Sequence, residues 1–204
     1  MKKKLIGLRV VLLAAGLALA GCSSPPTRFY VLAALPAGQP ASSTGAEIAV
    51  GVGPVDLPEY LDRPQIVTRT GQNELNLADF ERWGEALKDN ASEVLAENLA
   101  VLLPSKKVSV YPWKRSVSVN YQLVVKIIRF DHTEGGETVL RTRWSLLNKD
   151  GAGLLARESR YVESPAGEGY ANTVAAMNRA LAQFSREVAN TINGLNNGGG
   201  LPPE

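Results

Sequence analysis

The chain has 204 residues, with 22 lysines and arginines against 20 aspartates and glutamates. This length suits one domain with a real core, and the near balance of charge gives no basic excess that would favour nucleic acid as a partner. One histidine and one cysteine exclude a zinc site of the usual ligand types.

The N-terminus has the layout of a secretory signal. Lys2–Lys4 form a basic start, Val10–Ala18 is an uncharged apolar run, and small residues lead up to Cys22. The apolar run is shorter than the roughly 20 residues that span a bilayer. We therefore expect residues 1–21 to be cleaved and residues 22–27 to form a lipidated tether. Loss of Lys2–Lys4 and Arg9 leaves 18 basic and 20 acidic residues, a net charge of −2.

Leu19-Ala20-Gly21-Cys22 resembles the bacterial lipobox, in which the cysteine thiol receives a diacylglycerol. Cys22 is the only cysteine and so has no disulfide partner within the chain. The alternative, an ordinary signal followed by an unrelated cysteine, would leave a lone thiol in an oxidising compartment. Ser23 and Ser24 resemble the pattern of outer-membrane sorting. The expected location is therefore the periplasmic face of the outer membrane, with the chain lipid-anchored through Cys22.

Short strands are predicted in the first half of the remaining chain, at residues 28–32, 47–52, 65–70 and 74–77. Residues 36–45, rich in Pro, Ala, Gly and Ser, are expected to form a loop. The strand at 47–52 is expected to end at Gly53-Pro54.

Two helices follow from apolar spacing. The first runs from Leu87 to Leu102 and is ended by Pro104; the second carries an apolar stripe from Tyr170 to Ile192 and can stop at Gly194. Such a stripe usually packs on a sheet, although it could also dock on a neighbouring subunit.

Between the helices the pattern predicts strands at residues 107–111, 117–130, 138–148 and 154–163, the last three forming a meander. Asp150-Gly151 is a tight-hairpin signal. The order predicts an α+β fold with a mostly antiparallel mixed sheet and two main helices packed on it. A single domain at 28–195 and a flexible tail at 196–204 complete the organisation.

No pattern of catalytic, cofactor or metal chemistry is apparent. His132 follows Asp131 at a hairpin end, without the Gly-x-Ser-x-Gly elbow of many serine hydrolases. Gly51-Val52-Gly53-Pro54 lacks the continuation of a phosphate-binding loop. Asp79, Glu81, Glu85 and Asp89 are expected around a helix start, where acidic residues favour the helix dipole. We predict no catalytic residue, no cofactor and no metal.

The proline-punctuated stretch at residues 55–68 is harder to explain as scaffold alone. Pro58 and Pro64 within this stretch, and Pro54 just before it, exclude a helix interior and disfavour a central strand. A rigid, amphipathic and surface-exposed stretch suits a protein contact. A crossover loop that merely links two strands explains it equally well.

Three segments together resemble the ABC-type transport auxiliary lipoproteins. They are Arg28–Leu32 soon after the lipobox, the long stretch Val50–Val67 containing Leu57-Pro58-Glu59-Tyr60-Leu61-Asp62-Arg63-Pro64-Gln65, and Leu75 followed by Phe80–Glu85. The similarity covers nearly the whole mature chain.

The resemblance implies a non-enzymatic lipoprotein of the outer membrane that faces the periplasm. Members of this family accompany MCE-domain proteins and ABC or related inner-membrane components that move lipids between the two membranes. The implied role is a docking part in a homo-oligomeric ring. The candidate partner-binding residues are Leu57, Pro58, Tyr60, Leu61, Asp62 and Arg63.

Two other functions stay open at this point. A periplasmic lipid carrier would need an apolar cavity between sheet and helices, lined by residues such as Leu123, Trp144, Met177 and Phe184. An envelope hydrolase would have to use His132, the only histidine, and is the weakest of the three hypotheses.

Overall fold

The computed structural model describes residues 25–37, 48–104, 107–114 and 116–198. The described elements, in chain order, are β1 (Arg28–Tyr30), β2 (Val50–Asp56), a 3-10 helix (Glu59–Leu61), β3 (Gln65–Arg69), β4 (Leu75–Trp83), α1 (Leu87–Leu102), β5 (Val108–Val110), β6 (Tyr121–Thr133), β7 (Thr138–Asn148), β8 (Gly153–Glu163) and α2 (Tyr170–Asn196). The predicted signal, Cys22 and most of the predicted tail lie outside these residues.

The sheet forks along one edge of its longest strand, β6. The other edge of β6 pairs with β7 from Tyr121 to His132. On the forked edge, β2 pairs with the first half of β6, at Tyr121–Lys126, and β3 pairs with its last two residues, His132 and Thr133. β5 extends the β2 arm, while β4 and β1 extend the β3 arm.

The long ladders of the sheet are antiparallel. β6, β7 and β8 form a continuous meander, and β3 pairs antiparallel with β4. The parallel pairings, β1 with β4, β2 with β5 and β6, and β3 with β6, cover two to five residue pairs each. The prediction of an α+β fold with a mixed, mostly antiparallel sheet is confirmed.

The core lies between the sheet and the two helices. α1 packs on β2 and β5, α2 packs on β6, β7 and β8, and the helices contact each other. The apolar stripe of α2 is buried at Val174, Leu181, Phe184, Val188 and Ile192, so within the described part of the chain it serves as core. The helix passes Gly194, predicted as its stop, because Leu195 still packs against the core.

Several strands differ from the sequence prediction. β6 runs from Tyr121 to Thr133, four residues later at its start and three later at its end than the predicted 117–130. β2 continues through Pro54 to Asp56, because its register against β6 shifts between Val52 and Val55 and so tolerates the missing N–H. β4 extends to Trp83, where it pairs with β1.

The longer β4 also moves two of the acids expected at a helix start. Asp79 and Glu81 lie on this strand. Glu81 forms an ion pair with Arg28 of β1, with Nη2 and Oε1 2.7 Å apart.

Residues 31–37, which we call the N-terminal strap, cross the two helices without joining the sheet. Their backbone is held by three asparagine side chains. The N–H of Leu32 donates to Asn90 Oδ1 at 2.5 Å and that of Leu35 to Asn98 Oδ1 at 2.7 Å, both on α1, while the N–H of Ala33 donates to Asn178 Oδ1 on α2 at 3.1 Å. The asparagines thus take the place of a neighbouring strand.

Asn98 is the central fastening of the strap. It is 1% exposed, and its Nδ2 also donates to Ser185 Oγ at 3.0 Å. Asn98→Ala leaves buried polar groups unpaired, so we expect a loss of about 1–3 kcal/mol in the free energy of unfolding. Hydrogen exchange at the Leu35 amide should accelerate.

The matched control for this change is Asn178→Ala, which removes a solvent-exposed bond to the same strap. It should cost less, because water can replace the lost amide. Chemical denaturation and amide exchange measure both variants. Unchanged exchange at Leu35 in Asn98→Ala would show that the strap is held by other contacts.

Candidate docking site

The candidate partner-binding residues lie in the crossing segment, residues 57–64. It leaves β2 on one half of the β6 edge and enters β3 on the other half. Its middle forms the 3-10 helix, in which the N–H of Leu61 donates to the Pro58 carbonyl at 2.9 Å and that of Asp62 to the Glu59 carbonyl at 3.2 Å. Pro58 and Pro64 restrict the backbone on either side of this turn.

The inner side of the crossing segment belongs to the core. Leu61 is 2% exposed, and Leu57 and Tyr60 are half-buried against the core cluster. The Leu61 side chain fills the space beneath the 3-10 helix and holds the segment on the core.

A buried carboxylate fastens the segment to the sheet. Asp131 of β6 is fully buried, and its Oδ2 accepts hydrogen bonds from Tyr60 Oη at 2.8 Å and from Arg69 Nε at 2.9 Å. Its Oδ1 accepts from Arg129 Nε at 2.7 Å. The Arg69 guanidinium also lies 5.3 Å from the centre of the Tyr60 ring. Two cations and a hydroxyl thus satisfy a charge that would otherwise be costly to bury.

This Asp131 cluster changes the acidity of its tyrosine. Burial, and then the negative charge of Asp131, raise the pKa of Tyr60 to about 12, while Arg69 acts in the opposite direction. Tyr60 therefore stays neutral across the physiological range, and its hydroxyl donates a hydrogen bond to the carboxylate throughout.

The outer side of the crossing segment is polar and largely acidic. Glu59 and Asp62 are exposed, and Pro58 and Arg63 are half-buried. Asp56, at the end of β2, is also exposed and lies 3.8 Å from Lys88 of α1. Of the candidate partner-binding residues, Pro58, Asp62 and Arg63 lie at the surface, whereas the Tyr60 hydroxyl points to Asp131.

The glycines of the Val50–Pro54 stretch make room for aromatic side chains. A Cβ at Gly51 would lie 2.5 Å from Trp113 Cη2, and one at Gly53 would lie 2.8 Å from Tyr111 Cβ. Gly53 also has φ +115°, which favours glycine. Tyr111 and Trp113 then meet edge to face, with ring centres 5.6 Å apart. This part of the motif serves packing.

Grooves lie beside the aromatic pair and follow α1. One of about 210 Å³ is bounded by Gly53, Pro54 and Tyr111, and another of about 500 Å³ by Glu97, Val108 and Trp113. Both are open surface features.

The residues proposed to line a carrier cavity are packed together instead. Leu123, Trp144, Met177 and Phe184 are at most 2% exposed and belong to one core cluster. The rings of Trp144 and Phe184 lie 5.9 Å apart. They are core, so the carrier hypothesis loses the cavity on which it depended.

His132 lies near the end of β6, next to the Asp131 cluster. Its Nδ1 lies 3.4 Å from Thr138 Oγ1, and burial lowers its pKa. The neighbouring Asp131 carboxylate is already engaged by Tyr60, Arg69 and Arg129. Within the described ranges, no three His, Cys, Asp or Glu side chains group as metal ligands, and no helix is long and apolar enough to cross a membrane.

Comparison with known proteins now decides the family. The family described as ABC-type transport auxiliary lipoprotein component matches residues 30–189, from the last residue of β1 through the crossing segment to most of α2. The chain belongs to this family.

Individual relatives agree with this assignment. The chain is 26% identical over 183 residues to the intermembrane transport lipoprotein PqiC of Escherichia coli (strain K12), covering 89% of this chain and 95% of the relative. The PqiC of Shigella flexneri gives the same values.

Solved structures share the fold. One is the crystal structure of an uncharacterized protein, with a TM-score of 0.69 and 21% identity, covering 82% of this chain and 99% of the other. A second, from Xanthomonas campestris, has a TM-score of 0.66 and 18% identity, covering 84% and 99%.

Tyr60→Phe tests the fastening of the crossing segment. Removing a hydrogen bond to a charged group should lower the free energy of unfolding by about 1.5–3 kcal/mol at neutral pH. The hydrogen bond from neutral Tyr60 stabilises the folded state fully below the ordinary tyrosine pKa near 10. Because the pKa of Tyr60 in the folded protein is raised to about 12, this stabilisation is lost as the pH rises through about 12. The difference from the parent protein should therefore shrink between pH 10 and 12.

Urea denaturation at pH 8 and across that alkaline range measures the effect. The control is Tyr111→Phe, which alters a tyrosine that is 52% exposed and should change stability by less than about 0.5 kcal/mol. A Tyr60→Phe difference that stays constant up to pH 12 would contradict the assigned bond.

Proposed function

We propose that this chain is an outer-membrane lipoprotein that serves as the periplasmic docking component of an MCE/ABC-type intermembrane lipid transport system, as a homo-oligomeric ring. The observation that carries the proposal is the family match over residues 30–189. It is supported by the sequence similarity to PqiC, an intermembrane transport lipoprotein, which spans 95% of that protein. The family is one of transport auxiliary components, and envelope location follows from its lipoprotein character.

Attachment to the membrane is assigned to Cys22. The described structure begins at residue 25 and its first strand at Arg28, so only a few residues separate the domain from the proposed lipid. Each buried methylene contributes about 0.8 kcal/mol, and several acyl chains hold a protein stably.

Docking is assigned to the outer side of the crossing segment. Glu59 and Asp62 are exposed there, next to Pro58 and Arg63. The Asp131 cluster and the buried Leu61 hold this surface in place before any partner arrives. A pre-organised surface loses less conformational entropy on binding, and its acidic groups suit a partner with a basic face.

Charge reversal tests the docking surface. Asp62→Arg, alone or with Glu59→Arg, should reduce co-purification of the MCE-domain partner from crosslinked envelopes by about tenfold, equivalent to 1.4 kcal/mol. Both side chains are exposed, so the unfolding free energy should change little.

The matched control is Asp150→Arg at the exposed β7–β8 turn, which makes the same charge change at another site. Mass spectrometry of the captured proteins reads the result. Equal recovery of the partner with Asp62→Arg and Asp150→Arg would remove the crossing segment from the proposed interface.

Cys22→Ser tests the anchor. The variant should incorporate no palmitate label, and the parent protein should yield an N-terminal peptide that begins at residue 22 and carries acyl chains. Ser23→Asp should keep the label but shift the protein toward inner-membrane density. Label retained by Cys22→Ser would place the lipid on another residue.

A further inference from the structure

Exposed apolar side chains concentrate at one edge of the sheet. Among the described residues, the large hydrophobic side chains at least 36% exposed are Phe29, Val31, Leu77, Phe80 and Tyr111. The first four belong to β1, the residue that follows it, and β4, at the end of one arm of the fork. Tyr111 lies at the end of the other arm, beyond β5.

The strand register joins Phe29, Val31 and Phe80 into one strip, the apolar edge strip. Phe29 lies opposite Arg82, and Phe80 precedes Arg82 by two residues, so Phe29 and Phe80 share a face of the sheet. The intervening Glu81 points to the opposite face, where it is 8% exposed. Val31 continues the strip over Gly84, whose Cβ position would lie 3.2 Å from Val31 Cγ1.

The position of the strip in the chain indicates what covers it. Phe29 is seven residues after Cys22, and seven extended residues reach at most about 25 Å. A lipid on Cys22 therefore keeps Phe29 within that distance of the bilayer surface.

The size of the strip also favours a lipid surface over a second copy of the chain. A whole phenylalanine presents about 150–250 Å², and Phe29 and Phe80 are only 67% and 36% exposed. A stable protein interface buries about 800 Å² on each partner. A few aromatic and aliphatic side chains at a membrane interface suffice when an acyl anchor already holds the protein there.

We propose that the apolar edge strip rests on the phospholipid surface to which Cys22 is anchored, and so fixes the orientation of the domain relative to the membrane. This inference rests on the proposed lipid anchor. It gives the domain a second membrane contact besides the acyl chains, with the forked sheet held edge-on to the bilayer.

The single cysteine makes the test specific. Because acylation blocks the Cys22 thiol, the lipidated Phe80→Cys variant can be labelled at position 80 alone with an environment-sensitive fluorophore. Position 80 lies beside Phe29 in the strip, so the effect of tether proximity alone is measured with the Phe29→Ser and Val31→Ser substitutions, which keep the same tether. The variant is inserted into vesicles of phosphatidylethanolamine and phosphatidylglycerol containing spin-labelled phospholipid, with Asp150→Cys as the matched control.

We expect the spin-labelled lipid to quench the label at position 80 several-fold more than the label at position 150. Adding Phe29→Ser and Val31→Ser should bring quenching at position 80 down to the control level. Because all of these side chains are exposed, the variants should fold, and circular dichroism verifies it.

Two outcomes would overturn the proposal. Equal quenching at positions 80 and 150, in protein whose Cys22 acylation is verified by mass, would show that the strip does not reach the lipid. Fluorescence at position 80 that changes with the density of protein in the vesicles, and not with the spin-labelled lipid, would show that the strip contacts a second copy of the protein. Neither outcome affects capture of the MCE partner, so the proposed docking function is tested separately.

Discussion

The architecture depends on one constraint, the sharing of a single edge of β6 between β2 and β3. The chain must leave one arm of the fork and enter the other, and the crossing segment bridges that gap. Asp131 stands near the end of β6 where β3 joins, and its buried carboxylate binds Tyr60 from the crossing segment and Arg69 from β3. A charge buried without these partners would destabilise the fold, so the cluster couples the sheet fork to the exposed surface of the crossing segment.

Regular elements could be predicted from the sequence, because their periodicity is local. The span of α1 at Leu87–Leu102 and that of β7 at Thr138–Asn148 were predicted as they occur. The extension of β4 to Trp83 could not be predicted, because it depends on pairing with β1, more than 50 residues earlier. The three asparagines that hold the N-terminal strap carry no periodic signal at all.

The candidate site shows the same limit. The proline-punctuated stretch is compatible, on sequence alone, with a contact surface or with a crossover between two strands. The structure shows that it links β2 to β3, and alternation cannot assign the inner and outer sides of a 3-10 turn. Tyr60 and Leu61 turn inward because Asp131 and the core lie beneath them, 71 residues away in the case of the Tyr60 bond. An acid within the largely apolar strand β6, two residues after Arg129, was the available signal for this cluster. From the sequence alone, that acid is expected at a hairpin end, but it lies within β6.

The most direct test of the docking role is site-specific photocrosslinking from position 62 of the lipidated protein in native envelopes, with the same crosslinker at position 150 as reference. We expect an adduct between position 62 and an MCE-domain protein, and none from position 150. Adducts from position 150 alone, or recovery of the protein with phospholipid and no partner, would contradict the assignment of the crossing segment as the docking surface.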